Sequence, residues 1–170
     1  MDHRGARVTG LIVGGGIIAA LSIVGATSQA SAATLDCSAR GLDQTLVDGS
    51  SACRAVADAD SSAISHVEGD GVGAADSRDG GTSAGLAMFG GVAAAETRGG
   101  MLAAVAFGRD SLALGRTASP FAVVLAGPGG RAAVGDADVG AICAGGPALV
   151  FNIATAQGCF SDGISTWTLP

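Results

Sequence analysis

Glycine pairs punctuate the middle of this chain at short, nearly regular intervals, and that spacing limits what the chain can become. Gly80-Gly81, Gly90-Gly91, Gly99-Gly100 and Gly108 follow one another at steps of eight to ten residues. Between and beyond them lie short runs of small and apolar residues: 82–89, 92–97, 101–107, 111–114, 121–126 and 132–134. Alanine favours helix, but a helix needs about 10 to 12 residues, and a glycine or a glycine pair cuts each run short first. Strands of five or six residues separated by turns fit the pattern. Few side chains are large enough for a conventional core: Tyr is absent, Trp167 is the one tryptophan, and 23 of the 29 glycines lie beyond residue 32. Short strands with small inward side chains describe an all-β fold, a Gly/Ala-rich β-solenoid or β-roll in which parallel strands stack rung on rung.

Alternation assigns faces. Ala84, Leu86 and Met88 share one side of their strand, as do Leu102, Ala104 and Ala106, then Leu112 and Leu114, then Ala122, Val124 and Ala126. A rung of about 18 residues, made of two strands and their turns, places Phe89 over Phe107 with Leu125 next, and Met88, Ala106 and Val124 in a second ladder. If Leu102, Ala104 and Ala106 point inward, then Phe89, Val105, Phe107, Phe121, Val123 and Leu125 point outward. Phe89, Phe107 and Phe121 are then a candidate interaction surface, because a large exposed apolar patch usually marks one. Two alternatives stay open: parity flips at a turn and these side chains form the core, or the C-terminal cap covers them with Phe151 or Trp167. Residues 51–81 follow the same alternation with a more polar outer surface. The segment 147–167 has larger side chains and reads as a hairpin.

The first 32 residues have the form of a cleavable secretory signal. Arg4 and Arg7 precede an uncharged apolar stretch from Val8 to Ala26, and Ala30-Ser31-Ala32 ends it with a small-x-small triplet, so cleavage is expected after Ala32. A retained membrane anchor is the rival, since the stretch approaches the roughly 20 residues a span needs. Lipidation at Cys37 is disfavoured by Asp36 and Thr34 at the positions where a lipobox needs small and aliphatic residues. The whole chain carries a net charge of −6, and cleavage makes the remainder more negative by removing two arginines and one aspartate. An acidic chain without lysine argues against nucleic acid and anionic lipid as partners.

Four cysteines in a small exported chain suggest a disulfide framework. Cys37 and Cys53 are separated by the same interval as Cys143 and Cys159, with one pair near each end of the remainder. Four cysteines allow three connectivities; proximity favours the local pairs. A zinc site would want short C-x-x-C spacings, which the sequence lacks. The organisation expected is a signal peptide (1–32), an N-terminal disulfide cap (33–54), a Gly/Ala-rich repeat region (55–142) and a C-terminal disulfide hairpin cap (143–170). Caps suit a solenoid, whose terminal rungs otherwise expose unpaired strand edges.

Two resemblances follow from these residues. The segment GRDSLALGRTASPFAVVLAG (108–127) is similar to β-roll repeats in the head domains of trimeric surface adhesins. The terminal cysteine pairs, the Ala/Gly repeats, AGPGGRAAVGD (126–136) and the closing C-x-x-DG-x-x-x-W (Cys159 to Trp167) resemble an uncharacterised family of small secreted actinobacterial proteins. The second likeness implies an exported envelope or extracellular protein, and brings no activity or site residues with it.

Catalytic equipment is hard to find. His66 is the one histidine after the signal, and a Ser-His-Asp arrangement would need it beside a serine and a carboxylate. Gly81-Thr82-Ser83-Ala84-Gly85 spells G-x-S-x-G, but a run of short glycine-punctuated strands offers no strand-to-helix turn on which it would form a nucleophile elbow. The acidic residues Asp58, Asp60, Glu68, Asp70, Asp76, Asp79, Asp136 and Asp138 are of the type calcium prefers, but neither a calcium-binding nonapeptide nor an EF-hand loop is spelled out, and a solvated acidic surface is the expectation. Gly127 to Arg131 lacks the ending of a phosphate loop and reads as a turn. The sequence therefore points to an exported structural or binding protein with no cofactor and no metal, not an enzyme, whose partner is a cell-wall component or a second copy of itself. A homotrimeric adhesin-like head and a secreted carbohydrate-active hydrolase are the alternatives.

Overall fold

The structure is a computed structural model that describes residues 33–109, 111–136 and 140–169, so the signal segment and its cleavage site lie outside the described residues. The described residues form sixteen strands and no helix. In chain order they are β1 (Thr34–Ala39), β2 (Asp43–Asp48), β3 (Ser51–Ala57), β4 (Ser62–Glu68), β5 (Val72–Arg78), β6 (Thr82–Met88), β7 (Val92–Ala93), β8 (Glu96–Arg98) and β9 (Met101–Phe107). They continue as β10 (Leu112–Leu114), β11 (Phe121–Ala126), β12 (Gly130–Val134), β13 (Ala141–Gly145), β14 (Pro147–Asn152), β15 (Gln157–Asp162) and β16 (Thr166–Leu169).

The chain winds between two sheets. Sheet A has the order β1-β4-β6-β9-β11-β14-β15-β16, and sheet B the order β13-β12-β10-β7-β5-β3-β2, with β8 also on β5. Neighbours within the winding are parallel: β4, β6, β9 and β11 on one side, and β3, β5, β7, β10 and β12 on the other. This is the β-solenoid that the glycine spacing predicts. At each end the direction reverses. Strands β1 and β2 pair antiparallel with β4 and β3, and β13 and β14 pair antiparallel with β12 and β11.

The rung is longer than the expected 18 residues. Ser62, Thr82, Met101 and Phe121 lie in one ladder, at steps of twenty, nineteen and twenty residues. The odd step between β6 and β9 changes the parity of the chain. Ala84, Leu86 and Met88 therefore face outward, and Ser83, Gly85 and Ala87 are the buried residues of β6. On β9 the inward residues are Leu102, Ala104 and Ala106, and on β11 Ala122, Val124 and Ala126, as alternation suggests. The longer rung also moves the partner of Phe107, which pairs with Met88 and not with Phe89. Leu112 and Leu114 share the outer face of β10, with Ala113 buried between them.

The space between the sheets is narrow, and its side chains show why. Apart from Leu102, Val67, Val124, Val134 and Val150, the buried apolar residues are alanines and disulfide cysteines. Two of these larger side chains, Leu102 and Val67, face glycines. A Cβ at Gly115 would lie 2.8 Å from Leu102 Cδ2, and one at Gly73 would lie 2.9 Å from Val67 Cγ2. At Gly85 the approach is backbone to backbone: an added Cβ would be 2.0 Å from the Ala74 carbonyl oxygen on the opposite sheet. Serines hold the corners, as where the Ser51 hydroxyl donates to the Gly69 carbonyl (2.6 Å) and the Ser111 hydroxyl to the Gly127 carbonyl (2.7 Å). Residues 127–130 form the expected turn, closed by Gly130 N–H donating to the Gly127 carbonyl at 2.8 Å.

Both disulfides are the local ones, Cys37–Cys53 and Cys143–Cys159. Each joins the two sheets at one end: β1 of sheet A to β3 of sheet B, and β13 of sheet B to β15 of sheet A. The C-terminal cap is more than a hairpin. Strands β14, β15 and β16 form an antiparallel meander that carries sheet A beyond the last rung.

Candidate interaction surface

The outer face of sheet A is built from the residues that alternate with the small inward ones. One ladder runs across seven strands: His66, Leu86, Val105, Leu125, Leu149, Phe160 and Trp167. The ladder beside it runs Ile64, Ala84, Ala103, Val123, Phe151, Gly158 and Leu169. Outside these lie Met101 and Phe121 on one flank and Met88 and Phe107 on the other. Large apolar side chains thus cover the face from β6 to β16. Phe160 is 46% exposed and Trp167 is 53% exposed, their rings stacked with centroids 5.5 Å apart.

The relief of this face lies between its two central ladders. Over Val150, Cys159 and Thr168 runs a groove of about 500 Å³, walled by Val123, Phe151 and Leu169 on one side and by Leu149, Phe160 and Trp167 on the other. A second groove, of about 330 Å³, lies across the ridge, between Phe107, Leu125, Leu149, Phe160 and Pro147. Neither groove has a titratable group in its lining. The turn that carries Trp167 back onto Phe160 is held by Asp162, whose Oδ1 accepts from the N–H groups of Ile164 and Ser165, both at 2.8 Å. Those two donors, Ser165 first, hold the Asp162 carboxyl below its ordinary range. A depressed folded-state value means that its support is present above the unfolded range and is lost as pH falls through the folded value.

The sequence-derived surface residues are all exposed, but they do not form one cluster. Phe107 and Phe121 stand on the flanks of the face. Phe89 is on a corner, 61% exposed, in the left-handed conformation with φ 52°. The centre of the face, the ridge Leu125–Leu149–Phe160–Trp167, was not among the candidates. Its signal in the sequence was the alternation of large apolar residues in 147–167, which repeat-based register could not align with the rungs.

Polar features lie elsewhere. His66 is at the N-terminal end of sheet A, where its Nδ1 pairs with Asp36 Oδ1 at 2.6 Å and its next ladder neighbour is Leu86. Ser50 donates to Asp70 at 2.5 Å, and Asp58 accepts from Asp79 N–H at 2.8 Å, so these acids serve corners. Among the described residues, no three His, Cys, Asp or Glu side chains are grouped to hold a metal ion. The outer face of sheet B carries the apolar ladder Val72, Val92 and Leu112, but it ends on Arg131, and Arg54, Asp76 and Glu96 interrupt its neighbours.

Comparison with known proteins adds one finding. Residues 1–162 match the family described as "Family of unknown function (DUF6764)". The chain belongs to that family. No curated protein and no solved structure matches it. Membership agrees with the uncharacterised family that the terminal cysteine pairs and the closing C-x-x-DG-x-x-x-W resemble, and the match takes in both cysteine pairs and the repeat region.

Proposed function

We propose that this protein is exported and works outside the cytoplasm, in the cell envelope or beyond it, as a structural or binding module and not as an enzyme. The observation that carries the reading is the outer face of sheet A: contiguous exposed apolar side chains on a rigid sheet, with grooves that hold no titratable group. Such a patch is costly to leave in water and commonly marks an interaction site. Two disulfides that join the sheets fit an oxidising compartment, and the first 32 residues supply the export segment. A glycosidase would need two carboxylates roughly 5 to 10 Å apart across a groove; the grooves of sheet A offer aromatic and aliphatic walls instead.

Export is tested by expressing the full chain in its own type of host, separating medium, envelope and cytoplasm, and sequencing the N-terminus of the protein recovered. The expected form lies outside the cytoplasm, begins at Ala33 and contains no free thiol. Recovery of a cytoplasmic chain with four free thiols would overturn the reading.

A further inference from the structure

We infer that the outer face of sheet A is the contact surface of a two-fold dimer, in which the ridge Leu125–Leu149–Phe160–Trp167 of one copy seats in the groove between the two central ladders of the other. The inference deepens the binding reading above by naming the occupant of that face, and it stands apart from the question of export.

Shape is the first argument. A two-fold contact brings the same patch of both copies together, so the patch must contain both a projection and a recess to receive it. Here they adjoin. Phe160 and Trp167 stand as a stacked pair on one wall of the groove, which holds about 500 Å³. An acyl chain or another slender apolar ligand would fill the groove and leave the ridge in water. A second copy covers both.

Area is the second. Six strands, β6 to β16 in sheet order, are spaced about 4.8 Å apart, and six residues of each rise about 3.3 Å apiece, which gives a face of roughly 500 to 600 Å² in projection. Corrugation by large side chains raises the true contact area. A specific interface buries about 600 to 1,000 Å² on each partner, so one face of this sheet suffices. Two sheets packing face to face interdigitate at about 10 Å, a distance that ridge and groove of these sizes can fill.

Charge is the third. The linings of both grooves contain no titratable residue, so no like charges oppose each other where ridge meets groove. Ridge and groove run side by side across the strands, so the two-fold axis also runs across the strands, midway between them, and sets each ridge over the other copy's groove.

The test uses Trp167 as its own reporter, since it is the single tryptophan of the chain. The purified full chain in its processed form is followed by sedimentation equilibrium and tryptophan emission from about 1 to 100 μM. A monomer–dimer equilibrium is expected, with emission moving to shorter wavelength as dimer forms. Phe160→Glu should weaken the dimer by at least about 30-fold, with the circular dichroism spectrum unchanged. Leu169→Glu, at the exposed end of β16, decides the matter if the first variant does not fold. Leu114→Glu, on the outer face of sheet B, should leave the dimer intact. The inference is overturned if the wild type stays monomeric throughout, if a higher oligomer forms, if a folded Phe160→Glu or Leu169→Glu still dimerises, or if Leu114→Glu is the variant that dissociates. A blue shift that requires phosphatidylcholine vesicles would assign the face to lipid and overturn it equally.

Discussion

Phe89 holds a left-handed backbone conformation, φ 52°, that a bulky side chain adopts at a cost of about 1 to 2 kcal/mol. The corner one turn earlier has Asp79 at φ 57°, a residue type that accepts this geometry more easily. Phe89 therefore stores strain at a position where its ring is mostly in water. Phe89→Asn should raise stability by up to about 1 kcal/mol, read as a higher midpoint in urea with an unchanged slope. The dimer should not respond, because Phe89 lies off the ladders of sheet A. A fall in stability would mean that the ring is held by contacts worth more than the strain. Other single residues carry a similar tension. The hydroxyls of Ser65, Ser77 and Ser83 are buried between the sheets without a hydrogen-bond partner among the described residues. Their small size, not their polarity, suits that space. At the corners polarity does the work: Asp58 accepts from the Ser61 hydroxyl and the Asp79 N–H, and both lower its carboxyl below the ordinary range.

Within the elements, the distance between the sheets is set by pairs of large and absent side chains. Leu102 faces Gly115, Val67 faces Gly73, and Gly85 meets the backbone of Ala74 with no room at all. Two substitutions test this from opposite directions. Gly85→Ala adds one methyl group where backbone must move, and should cost about 1 to 3 kcal/mol or more. Leu102→Ala removes the largest fully buried side chain and should cost about 2 to 5 kcal/mol. Thermal unfolding checks both; tolerance of Gly85→Ala would show that the sheets slide apart freely and that packing does not fix their spacing. These details also separate what the sequence disclosed from what it withheld. Glycine pairs at short intervals disclosed strands, turns and the winding, because only a left-handed or tightly packed turn needs them. Alternation disclosed the inward residues of β9 and β11. It failed at β6, since one nineteen-residue step among steps of twenty reverses parity, and no local signal marks a single missing residue. The ridge was hidden for a different reason. Leu149, Phe160 and Trp167 join the ladder through antiparallel pairs, whose register depends on turn lengths and not on the repeat.

At the scale of the whole molecule, a solenoid is quasi-one-dimensional: each rung touches its neighbours, and stability is close to a sum of local terms. The two disulfides act on opposite ends of such a stack. Each closes a loop of similar size, with a sequence separation of 16 residues, so each should contribute about 3 kcal/mol through the unfolded chain. Their consequences should nonetheless differ. Cys37–Cys53 ties β1 to β3, at the end of sheet A that carries Asp36, His66 and Glu68. Cys143–Cys159 ties β13 to β15, the strand that bears Phe160 and pairs with β16. Beyond the last rung sheet B has only β13, whereas sheet A continues through β14, β15 and β16. Without the second disulfide the outer two strands keep only their ladder bonds and their packing on β13. Replacing Cys143 and Cys159 with serine should therefore raise hydrogen exchange in 157–169 selectively, and abolish dimerisation while the rungs remain folded. Replacing Cys37 and Cys53 with serine should lose a comparable amount of stability, raise exchange in 34–48, and leave the dimer in place. Exchange mass spectrometry with sedimentation on the two double variants reads both quantities at once. Equal loss of dimer in both variants would mean that cooperativity runs the length of the stack; loss in the N-terminal variant alone would move the contact surface to the other end of the molecule.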